Sequence, residues 1–307
     1  MKPVIRLDFC DMGGVDKRNN FFTRVLSRKY NVEINDRPDV LVYSNTGHLH
    51  KLYSCKKVFW TSESLRPDFE VCDYAVTCFY IDDPRHLRLP CYVTGSGAAP
   101  ADLLKTPGEV DAVARSERKF CSFIITNDNR RKAGRRIDFF HKLGRYKWVD
   151  SAGRALNNMG EALPLGTRIK RDFNAGYKFH LCFENRSLDG YTTEKLVDAM
   201  WARCIPIYWG NPLVGKEFNK RSFLHRNDYG SDEEFIEKIV EIDRDEGKYR
   251  AMLAEPYFPD DRPNEFYDED RILDFFDRIL SDGTPPVCRR RRFWHPGRWH
   301  LAKAMRS

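Results

Sequence analysis

KFHLCFENRSLDGYTTEKLVDAMWARCIPIYWG, residues 178–210, decides the fold. An apolar run of strand length, KFHLCFE (178–184), leads through a polar loop to YTTEKLVDAMWARC (191–204), whose apolar residues follow a helical period. IPIYWG (205–210) then reads as a second strand. Neither strand alternates apolar with polar residues, which suits strands covered on both faces of an α/β sheet.

The same alternation extends outward. Upstream, KFCSFIIT (119–126) and KWVDS (147–151) read as strands around a helical stretch, RKAGRRIDFFHKL (131–143). Downstream, DEEFIEKIVEI (232–242) and NEFYDEDRILDFFDRIL (264–280) carry apolar residues three and four apart, as helices do. The first third repeats the pattern: VIRLDFC (4–10), DVLVYSN (39–45), KVFWT (57–61) and YAVTCFYI (74–81) are β-branched or aromatic runs of strand length, with a helix-like stretch from Asn19 to Lys29. Residues 95–118 turn small, polar and Pro-containing, and a domain boundary is expected there. The chain's 307 residues suffice for two domains of roughly 100–200 residues each. The expected fold class is therefore α/β, with two doubly wound sheets facing across a cleft. Ligands in such sheets bind at the carboxyl ends of strands, where Glu63, Asn185 and the loop before Glu194 fall.

Charge is unevenly placed. The net charge of +7 arises from 52 basic and 45 acidic residues, and CRRRRFWHPGRWHLAKAMRS (288–307) alone holds six Arg, one Lys and no acid. Outside it the chain is neutral, with 45 residues of each sign. A groove that tracks nucleic-acid phosphates needs cations outside a tail, so nucleic acid is not an expected partner. The tail, with Phe293, Trp294 and Trp299, suits an anionic membrane surface, where each cation contributes about 1 kcal/mol and Trp favours the interface. A solvated terminus is the alternative. Nine cysteines are scattered without a CxxC pair, so neither a zinc site nor a dithiol is indicated and a reducing compartment is expected. MKPVIRLDFCD lacks the apolar segment of a signal peptide, and no run of 18 apolar residues occurs. The expected location is the cytoplasm, or the cytosolic face of a membrane.

Glu194-Lys195 opens the helix of the first quoted stretch. Glu194 suits the positive end of the helix dipole and Lys195 does not. A cation there is tolerable if it points into solvent, and productive if an anion sits between it and the helix N-terminus. Thr192 or Thr193 can cap the helix, and Asp189-Gly190 gives the loop freedom to approach a ligand closely.

As a set, FENRSLDGYTTEKLVDAMWARCIPIYWGNP (183–212) resembles the donor-binding segment of the glycosyltransferase family 10 α-1,3-fucosyltransferases of bacterial type. VFWTSESLRPDFEVCDYAVTCFYIDDPRHLRLPCYV (58–93) resembles the acceptor-domain segment of that family, with Arg66-Pro67-Asp68-Phe69, Cys72-Asp73-Tyr74-Ala75 and Arg88-Leu89-Pro90 as anchors. The resemblance implies GT-B architecture, two Rossmann-like domains: acceptor-binding over 1–112, GDP-sugar-binding over 113–284, and a basic aromatic tail over 285–307. It also implies an inverting transfer of L-fucose from GDP-fucose to a hydroxyl of an N-acetylglucosamine-containing glycan, α-1,3-linked, in lipopolysaccharide or another glycoconjugate. The alternatives are another GDP-sugar donor on the same fold, or a non-catalytic nucleotide or glycan binder.

Residue by residue, the resemblance makes Glu63 the base, although Ser62-Glu63-Ser64 stands where the family commonly has Gly-Glu-Asn. Arg136 and Lys195 match the residues that meet the leaving diphosphate, Glu194 the one that meets the ribose hydroxyls, and Tyr191 and Asn185 further donor contacts. Arg135 lies one residue out of that register and Arg130 and Arg131 a turn or two earlier. No metal or other cofactor is required, because Lys and Arg take the role of a divalent ion. Asp82-Asp83, Asp260-Asp261 and the His48/His50 pair, which has no carboxylate nearby in sequence, read as solvated turns. Gly13-Gly14 reads as a simple strand-to-helix turn, and Asp68 and Asp73 as residues that order the loop.

Overall fold

The computed structural model describes residues 1–290. The chain begins with β1 (Val4–Cys10), α1 (Phe21–Leu26), β2 (Asn31–Ile34), β3 (Val40–Tyr43), β4 (Lys56–Trp60), β5 (Tyr74–Thr77) and β6 (His86–Arg88). These strands form one six-stranded sheet in the order β2-β1-β3-β4-β5-β6, every neighbouring pair parallel. Leu7, Asp8, Phe9 and Cys10 in β1 and all of β3 are buried, as strands covered on both faces must be. Asn20 starts α1 by accepting from the Thr23 amide at 3.1 Å, the usual role of a short polar side chain at an N-cap.

The second compact unit runs from Pro90 to Tyr267. It contains α2 (Cys91–Gly95), α3 (Pro107–Arg115), β7 (Lys119–Phe123), α4 (Arg130–Gly144), β8 (Val149–Ser151), α5 (Thr167–Asn174) and β9 (Tyr177–Phe183). It continues through α6 (Glu194–Trp201), β10 (Ile205–Trp209), β11 (Leu224–His225), α7 (Asp232–Arg244) and α8 (Glu246–Ala254). The sheet order is β11-β10-β9-β7-β8, again all parallel. Strand order reverses between β7 and β9, which makes a crevice at their carboxyl ends. Successive β9 residues face opposite ways. The Phe183 ring packs against Phe139 of α4, tilted, with centroids 4.6 Å apart, whereas Cys182 belongs to the cluster built around Leu196 and Val197 of α6. Helices α4 and α6 therefore cover opposite faces.

The chain then returns to the first unit, which comprises residues 1–89 and those from Asp268 onward. Here α9 (Asp270–Ser281) buries Ile272, Phe275, Phe276 and Ile279, and Phe276 meets Phe22 of α1 at 6.1 Å. Arg24 bonds Glu269 at 2.6 Å, Arg28 bonds Asp270 at 2.7 Å, and Asp282 accepts from Lys56 and Tyr74. A last short helix, α10 (Val287–Arg290), begins where the Val287 amide donates to Asp73 at 2.6 Å. The basic tail falls almost wholly outside the described residues.

This division differs from the boundaries expected at 112/113 and 284/285. Residues 95–118 are not a linker: Leu103 is fully buried, and Arg203 donates to the carbonyls of Asp102 and Leu104 at 2.9 Å while pairing with Glu109. Lys105 caps the end of α8 through the carbonyls of Leu253 and Glu255, at 2.7 and 2.6 Å. Cations from distant parts of the chain thus tie a polar stretch into the second unit.

After β8, Gly153 passes so close to β7's extension that an added Cβ would lie 1.9 Å from the Ile125 carbonyl oxygen. Both partners there are backbone, so nothing can rotate aside. Gly153→Ala should lower stability by about 2–3 kcal/mol, read as a shift of the urea midpoint at unchanged slope; an unshifted midpoint would mean that the two segments are free to separate.

Candidate functional site

A cavity of about 280 Å³ opens at the carboxyl ends of β7 and β9, where the strand order reverses. Its wall is built from three pairs of polar residues, each four apart on a helix: Lys132 and Arg136 on α4, Lys170 and Asn174 on α5, Glu194 and Asp198 on α6. Four-residue spacing puts each pair on one helical face. Residues 124–127, His180, Asn185 and Lys195 complete it. Four cations face two carboxylates, so the wall carries a positive excess suited to a polyanion.

Of the residues expected from sequence, Arg136, Asn185, Glu194 and Lys195 share this wall. Arg136 is 7% exposed, and its Nε has no hydrogen-bond partner among the described residues. A buried guanidinium donor left open is costly unless a ligand fills it. The neighbouring arginines are engaged elsewhere: Arg135 forks onto Asp232 at 2.5 and 2.8 Å, and Arg130 bonds Asp138 at 2.6 Å. Tyr191 is not part of the wall. It is 2% exposed and lies behind, near enough to Arg136 and Lys195 to favour their charged forms.

Lys195 follows neither course expected of it. Its Nζ bonds Thr193 Oγ1 at 2.9 Å, Glu194 Oε1 at 3.2 Å and lies 3.5 Å from Glu184 Oε2. Burial opposes its charge, but Glu184 and Glu194 outweigh burial and hold its pKa above the ordinary value. Burial likewise works against Glu194, yet Lys195 keeps that carboxyl below its usual range. Glu184, which sequence reasoning passed over, is fully buried at the end of β9 and accepts from both the Thr193 amide and hydroxyl at 2.7 Å. Thr193 is the N-cap of α6, but its side chain serves Glu184 instead of the helix. The loop before α6 is also less free than its Asp-Gly suggested. Gly190, at φ +86°, is buried, and its amide donates to the Asn211 side chain at 2.8 Å. Asn211 in turn donates to Thr192 and Glu217.

Glu63 stands in the first unit, just after β4, with its side chain exposed. Its amide donates to Thr61 Oγ1 at 3.0 Å, and its carbonyl accepts from Leu65 at 2.8 Å. Asp68 accepts from the Glu70 amide and Asp73 from the Lys57 and Val287 amides, so both order loops as expected. His50 does have a carboxylate: its Nδ1 lies 2.7 Å from Asp11 Oδ2, and both are buried. Asp11 also accepts from the amides of Leu49 and His50, so it folds this loop back on β1, and His50 is not a solvated turn residue. Among the described residues no three His, Cys, Asp or Glu are grouped to hold a metal ion.

Lys132, Lys170, Asn174, His180 and Asp198 were not expected at the cavity. The signal available for Asp198 was its four-residue offset from Glu194; α5 itself was not read as a helix. Burial pushes the Asp198 carboxyl up to about 7 against the pull of Lys170, with Glu194 adding to burial and Lys195 opposing it. An unfolded chain holds this carboxyl near 3.8, so the folded state binds the extra proton and loses stability as pH rises from about 4 to about 7. Asp198→Asn should accordingly gain on the parent chain with rising pH, the difference in urea midpoint being larger at pH 8 than at pH 5. A pH-independent difference would sink this reading.

Comparison with known proteins agrees with this geometry. Residues 7–94 match the model of the α-(1,3)-fucosyltransferase FucT N-terminal domain, and residues 114–254 that of the glycosyltransferase family 10 (fucosyltransferase) C-terminal region. The α-(1,3)-fucosyltransferase FucT of Helicobacter pylori is 32% identical over 308 residues, which cover 87% of this chain and 63% of that protein. A putative fucosyltransferase, R654, of Acanthamoeba polyphaga mimivirus is 30% identical over 152 residues, 47% of this chain and 25% of that protein. A crystal structure of an α1,3-fucosyltransferase superposes with a TM-score of 0.79 at 27% identity, and one with GDP-fucose with 0.75 at 28%; each covers 92% of both chains. With both of its units matched in order by the two halves of one family, the chain belongs to glycosyltransferase family 10.

Proposed function

We propose that the chain is an α-1,3-fucosyltransferase that moves L-fucose from GDP-fucose to a hydroxyl of an N-acetylglucosamine-containing glycan with inversion. The observation that carries this reading is the positively lined cavity at the β7/β9 reversal, with an unfilled Arg136 donor beside Glu194 at a helix N-terminus. Arg136 offers the diphosphate a planar fork. Lys195, held by Glu184 and Glu194, adds charge without leaving its partners, and Glu194 accepts from ribose hydroxyls. Asn185 lies on the wall for the sugar or nucleotide, and Tyr191 backs the two cations. The acceptor oxygen attacks the anomeric carbon as the bond to the phosphate oxygen breaks. GDP departs with the bonding electrons and the acceptor proton passes to Glu63. Cations at the leaving group do the electrostatic work, and the residues present call for no metal.

Acceptor glycans in lipopolysaccharide or another glycoconjugate, and contact of 288–307 with an anionic membrane surface, complete the proposal. Nine free cysteines, eight of them buried, favour the cytoplasm or its side of a membrane. Among the described residues no helix is long and apolar enough to cross a bilayer. The test is transfer from GDP-fucose, GDP-mannose and UDP-sugars to an N-acetylglucosamine-containing acceptor, with and without EDTA. Transfer from GDP-fucose alone, unchanged by EDTA, is expected. Preference for another GDP-sugar would change the donor, and loss of activity in EDTA would overturn the metal-free mechanism.

A further inference from the structure

Glu63 is held by its backbone and by nothing else. Its amide donates to Thr61 Oγ1 and its carbonyl accepts from Leu65. Its side chain is exposed and makes no hydrogen bond or ion pair with any described residue. Whatever fixes the chain at 61–65 therefore fixes where this carboxylate stands.

Thr61 directly follows β4 and is 2% exposed. Its hydroxyl does two things at once: a lone pair takes the Glu63 amide at 3.0 Å, and the proton goes to Asn45 Oδ1 at 3.3 Å. Tyr43 of β3 pairs with Phe59 of β4, so Asn45 and Thr61 lie side by side two residues beyond that pair. Ser44 Oγ donates to the same Asn45 oxygen at 3.0 Å, which sets the orientation of the Asn45 amide. Branching at Cβ stiffens Thr61 at χ1, so its hydroxyl stays aimed. A chain of hydrogen bonds thus runs from the end of β3, through the Thr61 hydroxyl, to the backbone of Glu63.

We infer that Thr61 and Asn45 are positioning residues for the transfer: away from the reacting atoms, they set the place from which the Glu63 carboxylate meets the acceptor hydroxyl. A general base must come within about 2.6–3.2 Å of the oxygen whose proton it takes. A misplacement of about 1 Å can cost about a hundredfold in rate. The nucleotide cavity lies in the second unit and does not use this link. The inference rests on the reading of Glu63 as the base and deepens it.

Transfer from GDP-fucose to an N-acetylglucosamine-containing acceptor tests it, with Thr61→Val, Thr61→Ser and Asn45→Ala made in the full chain, alone and on the Glu63→Gln background. Valine keeps the buried shape of threonine and loses both hydrogen bonds. Thr61→Val should lower kcat by about tenfold to a hundredfold, with the KM for GDP-fucose and the calorimetric affinity for GDP unchanged. Thr61→Ser keeps the hydroxyl and should restore most of the lost rate. Asn45→Ala, at an exposed position, should lower kcat by about threefold to tenfold, the worth of one neutral hydrogen bond. It also serves where the valine variant does not fold. On the Glu63→Gln background both losses should nearly vanish, because the group being placed no longer takes a proton. Parental kcat in Thr61→Val, or in Asn45→Ala where valine does not fold, would overturn the inference and leave Glu63 as the base. The same loss on both backgrounds would do so too. Parental kcat in Glu63→Gln alone would instead strike the base reading, and this inference with it.

Discussion

Glu63→Gln should slow fucosyl transfer by about two to four orders of magnitude while GDP affinity, measured by calorimetry, stays as in the parent chain. The amide has the shape of the carboxylate but cannot take the acceptor proton, so the loss should fall on kcat and not on the donor's KM. Glu63 suits this role because its backbone is fixed by Thr61 and Leu65 while its side chain remains exposed at the end of β4. Three other carboxylates nearby in sequence have structural work: Asp73 joins β4 to α10 through two amides, Asp83 pairs with Arg85, and Asp68 turns the loop. Asp73→Asn should therefore show its effect in stability. A Glu63→Gln chain with near-parent kcat would remove Glu63 as the base and return the proton to another group.

Strands buried on both faces announce themselves, which is why β1, β9 and β10 were legible to within a residue at each end, while β7 ends three residues earlier than expected. Of the edge strands, β8 was read within KWVDS, whereas β2, β6 and β11 were not read. β6 and β11 have three and two residues, and their pairing depends on neighbours. Helix α5, TRIKRDFN, has only Ile169 and Phe173 to mark an apolar face, too short a pattern to read as a helix, and its Asn174 matters through a contact with Ser122 on β7. The return of α9 to the first unit was equally hidden, because amphipathic periodicity shows that a helix has a buried face and not which sheet it covers. At the site, the helix dipole made Lys195 conspicuous. Its resolution by Glu184 was invisible, since that carboxylate reads as the polar end of an apolar strand until folding brings it beneath α6.

Glu184→Ala should lower the unfolding midpoint by about 10 °C and weaken GDP binding at least about tenfold, two effects with one cause. The carboxylate accepts the Thr193 amide and hydroxyl and faces Lys195. Burial drives its pKa up against the pull of Lys195, so it is an expensive group to bury and is tolerated because its neighbours need it. Removing it leaves the half-buried Lys195 with one carboxylate and opens the Thr193 donors, at a cost of about 3 kcal/mol, the low end for a broken pair because Lys195 keeps some contact with water. Freed from Glu184, Lys195 turns on Glu194 alone, and the N-terminus of α6 no longer holds the pair in place for a nucleotide. Glu184→Gln separates the contributions: the amide still accepts from one Thr193 donor but presents NH₂ to Lys195, so it should fall between Ala and the parent in stability and close to Ala in GDP affinity. If the Ala variant melts with the parent chain, the buried cluster does not organise α6, and Lys195 must be held by Glu194 and Thr193 alone.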